Sequence, residues 1–419
     1  MNFPFKRVVV TGIGALTPIG NTAAQYWDGL VNGVSGADFI KQFDAEKFKT
    51  RFACELKDFN PEDFLDRKEA RKLDRFSQLA IIAADEAVKA SGLDNPELDK
   101  DRIGVIWASG IGGMITFIEE MKAYNAGDGT PRFNPFFIPK LILDIAAGHI
   151  SMRYNFRGPN FATVSACASS TNGLIDALMY IRLGKANAIV TGGSEAVVTQ
   201  AGIGGFNAMK ALSERNDDPK TASRPFDVDR DGFVLGEGAG ALILEELEHA
   251  KKRGATIYAE VAGGGLSADA HHLTAPHPEG LGVINVMKNA LEDANMTAGD
   301  IDYINVHGTS TPLGDVAELL AIQKVFGEHA YNLNISSTKS MTGHLLGAAG
   351  GIEAIASVLA VKHDIVPPTI NFHTPDPAID QRLNFTFHTA QKRTVRAALS
   401  NTFGFGGHNA SIIFKKYEE

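Results

Sequence analysis

Phe161-Ala162-Thr163-Val164-Ser165-Ala166-Cys167-Ala168-Ser169-Ser170 runs from a short apolar segment into a small-residue turn, and its reading decides the architecture of the chain. Residues 161–165 predict a short buried strand. Beyond them Leu174, Ala177, Leu178 and Ile181 recur at i, i+3, i+4 and i+7, so 167–183 predicts a helix with one apolar face. Cys167 then stands at a strand-to-helix junction. Outward from this point the same alternation continues to both ends of the chain. Before it, strands are predicted at 7–11 and 103–108, with helices from Asn21 onward and at 67–90 and 139–154. After it come strand-like runs at 188–192, 240–244, 257–263, 303–306, 334–337 and 408–414. Helices at 282–294, 312–326 and 344–362 lie between the later ones. Such alternation implies parallel or mixed sheets covered by helices, an α/β fold.

With 419 residues, 44% of them hydrophobic, the chain exceeds a single core. Two domains, or a duplicated pair sharing an interface, are expected. The letters show no clear internal repeat, and Gly263-Gly264-Gly265 reads as a tight passage near mid-chain. A net charge of −9 argues against general nucleic-acid binding. No apolar run approaches the ~18 residues of a membrane span, so no membrane insertion is expected. The opening residues lack the pattern of a secretory leader. Two cysteines, Cys54 and Cys167, make no disulfide framework, and a reducing cytoplasm is the expected location.

Each thiol therefore needs its own account. At a helix N-terminus, Cys167 would feel the positive end of the helix dipole and nearby free N–H groups, which favour thiolate and suit a nucleophile. The alternative is a buried structural cysteine. Cys54, in Phe52-Ala53-Cys54-Glu55-Leu56, has no such turn and reads as structural. A nucleophilic cysteine wants histidine partners elsewhere in the chain. His307, in Asn305-Val306-His307-Gly308-Thr309-Ser310-Thr311, ends a strand. His344, in Lys339-Ser340-Met341-Thr342-Gly343-His344, is read as opening the long apolar helix, where a helix N-terminus would keep its ring neutral. Asn401-Thr402-Phe403-Gly404-Phe405-Gly406-Gly407-His408-Asn409 reads either as a hairpin turn or as backbone N–H groups offered to an oxyanion.

Together these segments resemble the β-ketoacyl-(acyl carrier protein) synthases of the thiolase-like fold, above all the type II synthases that elongate fatty acids. The resemblance covers the whole chain. It is carried by Arg7-Val8-Val9-Val10-Thr11-Gly12-Ile13-Gly14, by Pro225-Phe226-Asp227 with Asp231-Gly232-Phe233-Val234-Leu235-Gly236-Glu237-Gly238, and by Thr342-Gly343-His344-Leu345-Leu346-Gly347-Ala348-Ala349-Gly350. It implies a duplicated five-layered α/β/α/β/α fold with halves 1–255 and 256–419, working as a homodimer. It further implies an acyl-cysteine at Cys167 and decarboxylative condensation with a malonyl thioester whose oxygen His307 and His344 bind. Lys339 would support the histidines, with Glu353 ordering the network, and the N–H groups of Cys167 and Phe403 would form the oxyanion hole. Phe403 would also be the gatekeeper of the acyl channel. Thr309 and Thr311 would bind the pantetheine arm, Ile111 would narrow the acyl tunnel, and Thr274 would line the mouth. No cofactor or metal is implied, because phosphopantetheine arrives on the carrier. His408 stands where relatives often carry threonine, and Val306 replaces a smaller residue.

The implied partner is an acidic acyl carrier protein. Lys68, Arg71, Lys72 and Arg75 fall at helical spacing, and the resemblance makes that face the docking site, with Lys210 a weaker contact. Three rivals are weighed. A dinucleotide fold fails because Gly12-Ile13-Gly14 lacks the third glycine and a matching acidic residue. A zinc site from Asp269, His271, His272 and His277 fits no standard spacing. A silent, non-catalytic partner would lack the nucleophile, which is present here.

Overall fold

The computed structural model describes residues 5–418; residues 1–4 and 419, which the reading of the leader and of the two halves includes, lie outside it. Ten strands form one continuous sheet: β1 (Val8–Leu16), β2 (Ile103–Ala108), β3 (Asn160–Thr163), β4 (Ala188–Glu195), β5 (Gly238–Glu246), β6 (Ala259–Ala268), β7 (Tyr303–Asn305), β8 (Asn334–Ser336), β9 (Ala397–Gly404) and β10 (His408–Lys415). Their order is β8-β7-β9-β10-β6-β1-β5-β4-β2-β3. The seam between β6 and β1 is only Val9↔Glu260 and Val10↔Ala259. On each side of it the same arrangement recurs: third, second, fourth, fifth and first strand of the half, with the second, third and fourth parallel and the other two antiparallel. The duplication that the letters hide is thus written in the strand pairing.

Two helices fill the space between the half-sheets, α1 (Ser169–Arg182) and α2 (Ala349–His363), each touching strands of both halves. Every residue of 349–361 is buried, including Glu353, as expected of a helix covered on all sides. Leu174, Ile175, Leu178 and Ile181 of α1 and Ile352, Ile355 and Leu359 of α2 make the central core with Leu242, Leu244, Ile412 and Phe414. Each such side chain contributes roughly 1.5–3 kcal/mol on burial. The helices Arg75–Ser91 and Ile145–Tyr154 cover the outer face of one half, and Leu281–Asp293 covers the other with Pro312–Phe326 packed on it. The result is five layers.

Close helix approach explains the triple glycine. Gly263-Gly264-Gly265 lies inside β6, and a Cβ on Gly264 would sit 2.6 Å from Ile175 Cγ1, with helix backbone against the other two.

Several element boundaries differ from the sequence reading, for local reasons. The helix expected at 67–90 breaks into Arg67–Ala70 and Arg75–Ser91, because the buried Asp74 carboxylate caps the second helix through Phe76 N–H (3.2 Å) and binds Thr116 through N–H (2.8 Å) and hydroxyl (2.7 Å). Residues 139–154 likewise divide into Phe137–Leu141 and Ile145–Tyr154. The helix expected at 344–362 begins only at Ala349, so His344 does not open it; it lies between Lys339–Thr342 and the 3-10 turn Leu346–Ala348. The helix expected at 167–183 starts at Ser169, with Cys167 in the preceding 3-10 turn Ala166–Ala168. Ala397–Gly404 is a full strand, and Met114–Ala126 is a helix that the pattern did not signal.

Candidate active site

Cys167 sits at a backbone elbow. Ala166 is left-handed, with φ 52°, and the equivalent residue of the second half, Leu346, has φ 49°. A non-glycine residue held there costs roughly 1–2 kcal/mol. The elbows touch: the Ser170 hydroxyl, in the first turn of α1, donates to the Gly347 carbonyl. One elbow carries the thiol and the other carries glycine.

The histidines come from the second half. His307 follows β7; its N–H and that of Gly308 each donate to the Glu318 carboxylate, at 2.9 Å. Asn401 Nδ2 donates to the same carboxylate at 3.2 Å. His344 is held by its backbone, its N–H donating to Val234 O (2.7 Å) and its carbonyl accepting from Gly236 N–H (2.9 Å). The two imidazoles meet edge to face, with centroids 5.3 Å apart and planes at 89°. Phe233 stands against the other side of His344, 5.3 Å away at 83°. Neither ring nitrogen of His344, nor Nδ1 of His307, has a hydrogen-bond partner. Both rings border the cavity, so these nitrogens are available to a molecule that enters it.

Lys339 and Glu353 form a buried ion pair behind the histidines. Burial lifts Glu353 from 4.5 to about 7, against the pull of Lys339. Burial also drives both histidines well below their ordinary value, and the Lys339 charge adds to it. They are neutral rings, each with one N–H to donate. For His344 the spacing pointed to a helix N-terminus as the cause; in the structure burial comes first for both rings.

The thiol needs the same correction. Burial pushes Cys167 up to about 12, although Lys339 and the N–H of Phe405 act the other way. Loss of solvent outweighs those two influences, so the resting group is the thiol rather than the thiolate. Cys54, raised to about 12 by burial as well, packs with Ala37, Phe52, Ala222 and Val234 as a core residue.

The backbone N–H that acts to lower the pKa of the Cys167 thiol is that of Phe405, two residues past the Phe403 expected as an oxyanion donor. Phe403 is still within β9, paired with Asn409, and its ring packs 5.4 Å from His307 and into the apolar core of the second half. Phe405 is the first residue past the strand, free of the ladder and able to turn its N–H to sulfur. Gly404 makes the approach possible: a Cβ there would lie 2.6 Å from Ser165 O and 3.1 Å from Cys167 N.

Around these groups is one cavity of about 500 Å³, lined by Cys167, His307, His344 and Phe403. Thr309 and Thr311 line it with their hydroxyls 3.1 Å apart, and Thr274 reaches it from an exposed loop. Ile111 borders it and packs with Cys167, Val198, Ile203, Phe206 and Leu346. In the nearby loop Asp269 accepts from Asn409 Nδ2 at 2.8 Å, while the His271 and His277 rings meet edge to face. Lys339 and Glu353 are a layer behind, and Lys68, Arg71 and Lys72 are on the surface. Those three do not share a continuous helical face with Arg75, because the helix breaks at Asp74. Arg75 turns inward instead, to a two-pronged pair with Glu237 at 2.8 Å. Lys210 is exposed at the cavity rim, and the His408 ring lies over Gly406.

Two carboxylates at the site were not singled out from the sequence. Glu318 holds the His307 backbone. Glu195, at the end of β4, accepts from Gly110 N–H (2.8 Å), Ile111 N–H (3.2 Å), Gly347 N–H (3.0 Å) and the Ser109 hydroxyl (3.0 Å). The sole signal available was a glutamate inside an otherwise uncharged stretch, Gly192-Gly193-Ser194-Glu195-Ala196-Val197.

Comparison with known proteins points one way. Residues 5–250 match the family described as beta-ketoacyl synthase, N-terminal domain, and residues 258–373 match its C-terminal domain. The chain is 52% identical over 413 residues to a 3-oxoacyl-[acyl-carrier-protein] synthase 2 of Staphylococcus aureus, covering 99% of each. It is 49% identical over 417 residues to the protein of the same name from Synechocystis sp., covering 100% of each. Among solved structures, a beta-ketoacyl synthase from Burkholderia phymatum superposes with a TM-score of 0.91 at 35% identity, over 99% of this chain and 100% of that one. A type II PKS ketosynthase solved in complex with its acyl-carrier protein superposes at 0.90 with 33% identity, over 99% and 100%.

Proposed function

The chain belongs to the beta-ketoacyl synthase family, with its thiolase-like fold, and from that membership and the site we infer that it elongates fatty acyl chains on an acyl carrier protein. The observation that carries the mechanism is the pair of neutral, open imidazoles facing the cavity that holds Cys167.

In the first step the Cys167 sulfur attacks the acyl thioester carbonyl. The carbon–sulfur bond to the carrier's pantetheine breaks, and the departing sulfur takes the proton that the thiol gives up. The tetrahedral oxyanion is held by the N–H groups of Cys167 and Phe405. One such donor is worth about 3–4 kcal/mol. In the second step a malonyl carrier binds with its thioester oxygen between His307 and His344. Its carboxylate leaves as CO2, and the released electron pair becomes an enolate stabilised by the two N–H groups. The enolate carbon attacks the acyl-cysteine, forming the carbon–carbon bond and expelling the Cys167 sulfur as thiolate, which takes a proton from solvent to restore the resting thiol. Neutral rings suit this role, since they donate without surrendering a proton to the enolate. Lys339 supports the neutrality, and Glu353 balances its charge.

Phosphopantetheine arrives with the carrier, and no resident cofactor is required. The exposed Lys68, Arg71 and Lys72 are the proposed docking charges for it. The working unit is a homodimer: β3 has a strand partner on one side only and is flanked by exposed Met152, Val164 and Leu183. The proposed place is the cytoplasm, on the strength of its similarity to bacterial 3-oxoacyl-[acyl-carrier-protein] synthases.

The test is intact-mass analysis after incubation with carriers bearing acyl chains of graded length. One acyl adduct on the native chain, none on Cys167→Ala, and turnover with malonyl carrier are expected. The absence of an adduct with every chain would overturn the assignment.

A further inference from the structure

Glu195 is fully buried, and its four hydrogen-bond donors are all neutral. They come from two places that the reaction keeps distinct. Ser109, Gly110 and Ile111 belong to the loop after β2, which forms a wall of the acyl cavity. Gly347 belongs to the second elbow, three residues past His344, and its carbonyl is in turn held by Ser170 in the first turn of α1, the helix that follows Cys167. A Cβ on Gly110 would sit 2.8 Å from the Glu195 carboxylate, so the loop lies directly against it. Each carboxylate oxygen accepts two donors: Oε1 from Ser109 and Ile111, Oε2 from Gly110 and Gly347. Glutamine cannot reproduce this: with its NH2 at the Oε2 position it would face the N–H groups of Gly110 and Gly347, and at the Oε1 position that of Ile111.

We propose that Glu195 is a positioning residue for acyl-chain selection, fixing the Ile111 wall of the cavity to the elbow that joins His344 and Cys167. The depth offered to the chain and the placement of the reacting groups are then set by one carboxylate. Its charge also opposes that of a Cys167 thiolate, which gives a second readout independent of packing. The proposal rests on the reading of Cys167 as the acylated residue.

The experiment compares native protein, Glu195→Gln and Ser109→Ala, the last removing one donor of the four. kcat/KM is measured for short-chain and long-chain acyl carriers, and iodoacetamide labelling of Cys167 is followed against pH. Glu195→Gln is expected to change the long-to-short ratio by about tenfold, the scale of a small misplacement at a reacting centre. Ser109→Ala is expected to change it in the same direction by less. Labelling should shift to lower pH in Glu195→Gln alone, since only that variant removes charge near the thiol, whose other charged or titratable neighbours are Lys339, Glu353, His307 and His344. An unchanged ratio in folded Glu195→Gln, or an equal loss on all chain lengths, would overturn the proposal. If Glu195→Gln does not fold, an unchanged ratio in Ser109→Ala does so. Failure of the native protein to take up any acyl chain would instead sink the functional reading itself.

Discussion

Glu318→Gln separates the charge behind His307 from its shape. The native carboxylate takes the N–H groups of His307 and Gly308 at 2.9 Å, and burial lifts its pKa from 4.5 to about 7. In the unfolded chain the group titrates near the lower value. Between the two, the folded protein holds a proton that the unfolded chain has lost. Folding stability therefore falls as pH rises, by about 1.4 kcal/mol per pH unit. Over the window from 4.5 to about 7 the loss reaches about 3 kcal/mol, and above it the loss is constant. Glutamine has no such dependence. Its cost is one backbone N–H left facing an amide NH2, about 1–3 kcal/mol at any pH. The stability advantage of the native protein over the variant is thus expected to shrink by about 2–3 kcal/mol from about pH 5 to about pH 8. Chemical denaturation of both proteins across that range, followed by tryptophan fluorescence, measures the difference. Other buried carboxylates titrate in both proteins and cancel. A difference that stays constant from acid to alkaline pH would refute the reasoning, because Glu318 would then be ionised throughout.

Lys339→Met alone leaves Glu353 buried without its cation and is expected to cost about 3–5 kcal/mol, whereas Lys339→Met with Glu353→Leu should restore most of that stability without restoring turnover; thermal unfolding and kcat check the two halves of the statement. Charge reversal at Lys68 and Arg71 is expected to raise KM for carrier-linked substrates and to spare small thioester mimics, and equal effects on both would remove the docking face from that helix. Iodoacetamide labelling of native Cys167 should quicken steadily with no plateau up to about pH 9, as a thiol held near 12 requires; a plateau near neutrality would show a resting anion. Gly404→Ala is expected to lower kcat by about a hundredfold by pushing the Phe405 turn off the cysteine elbow, with stopped-flow acylation rates as the check.

What the letters carried was the set of side chains with distinctive chemistry in distinctive strings: Cys167, His307, Lys339 and His344 can be found without coordinates. Their electrostatics could not. A helix N-terminus and the nearby Lys339 were the causes of neutrality that the sequence could suggest, while burial between two sheets, the larger cause, depends on the whole fold. Phe403 and Phe405 are two residues apart, in a string that reads equally as strand or turn. Which N–H is spent in a ladder and which is free is decided where β9 ends. Asp74 broke a helix whose residue spacing was otherwise regular, because its carboxylate serves Phe76 and a distant Thr116 at once. Glu195 and Glu318 have the least visible roles, since a buried carboxylate is defined by backbone donors, which every residue has. The duplication, expected from length and resemblance, left no repeat in the letters for a related reason: strand order is a property of backbone pairing and survives when side chains diverge.

The two elbows meet across the middle of the molecule, and the nucleophile and the histidines lie on opposite sides of that meeting. During synthesis Cys167 leaves the ribosome about 180 residues ahead of His344. At roughly 5–20 residues per second the interval is about ten to thirty-five seconds. Within it His307 emerges about 140 residues after Cys167, while Lys339 and His344 follow only at its end. Condensing power therefore arrives only when the last elements of the second half dock against the first, because the cavity takes its thiol from one half and both imidazoles from the other.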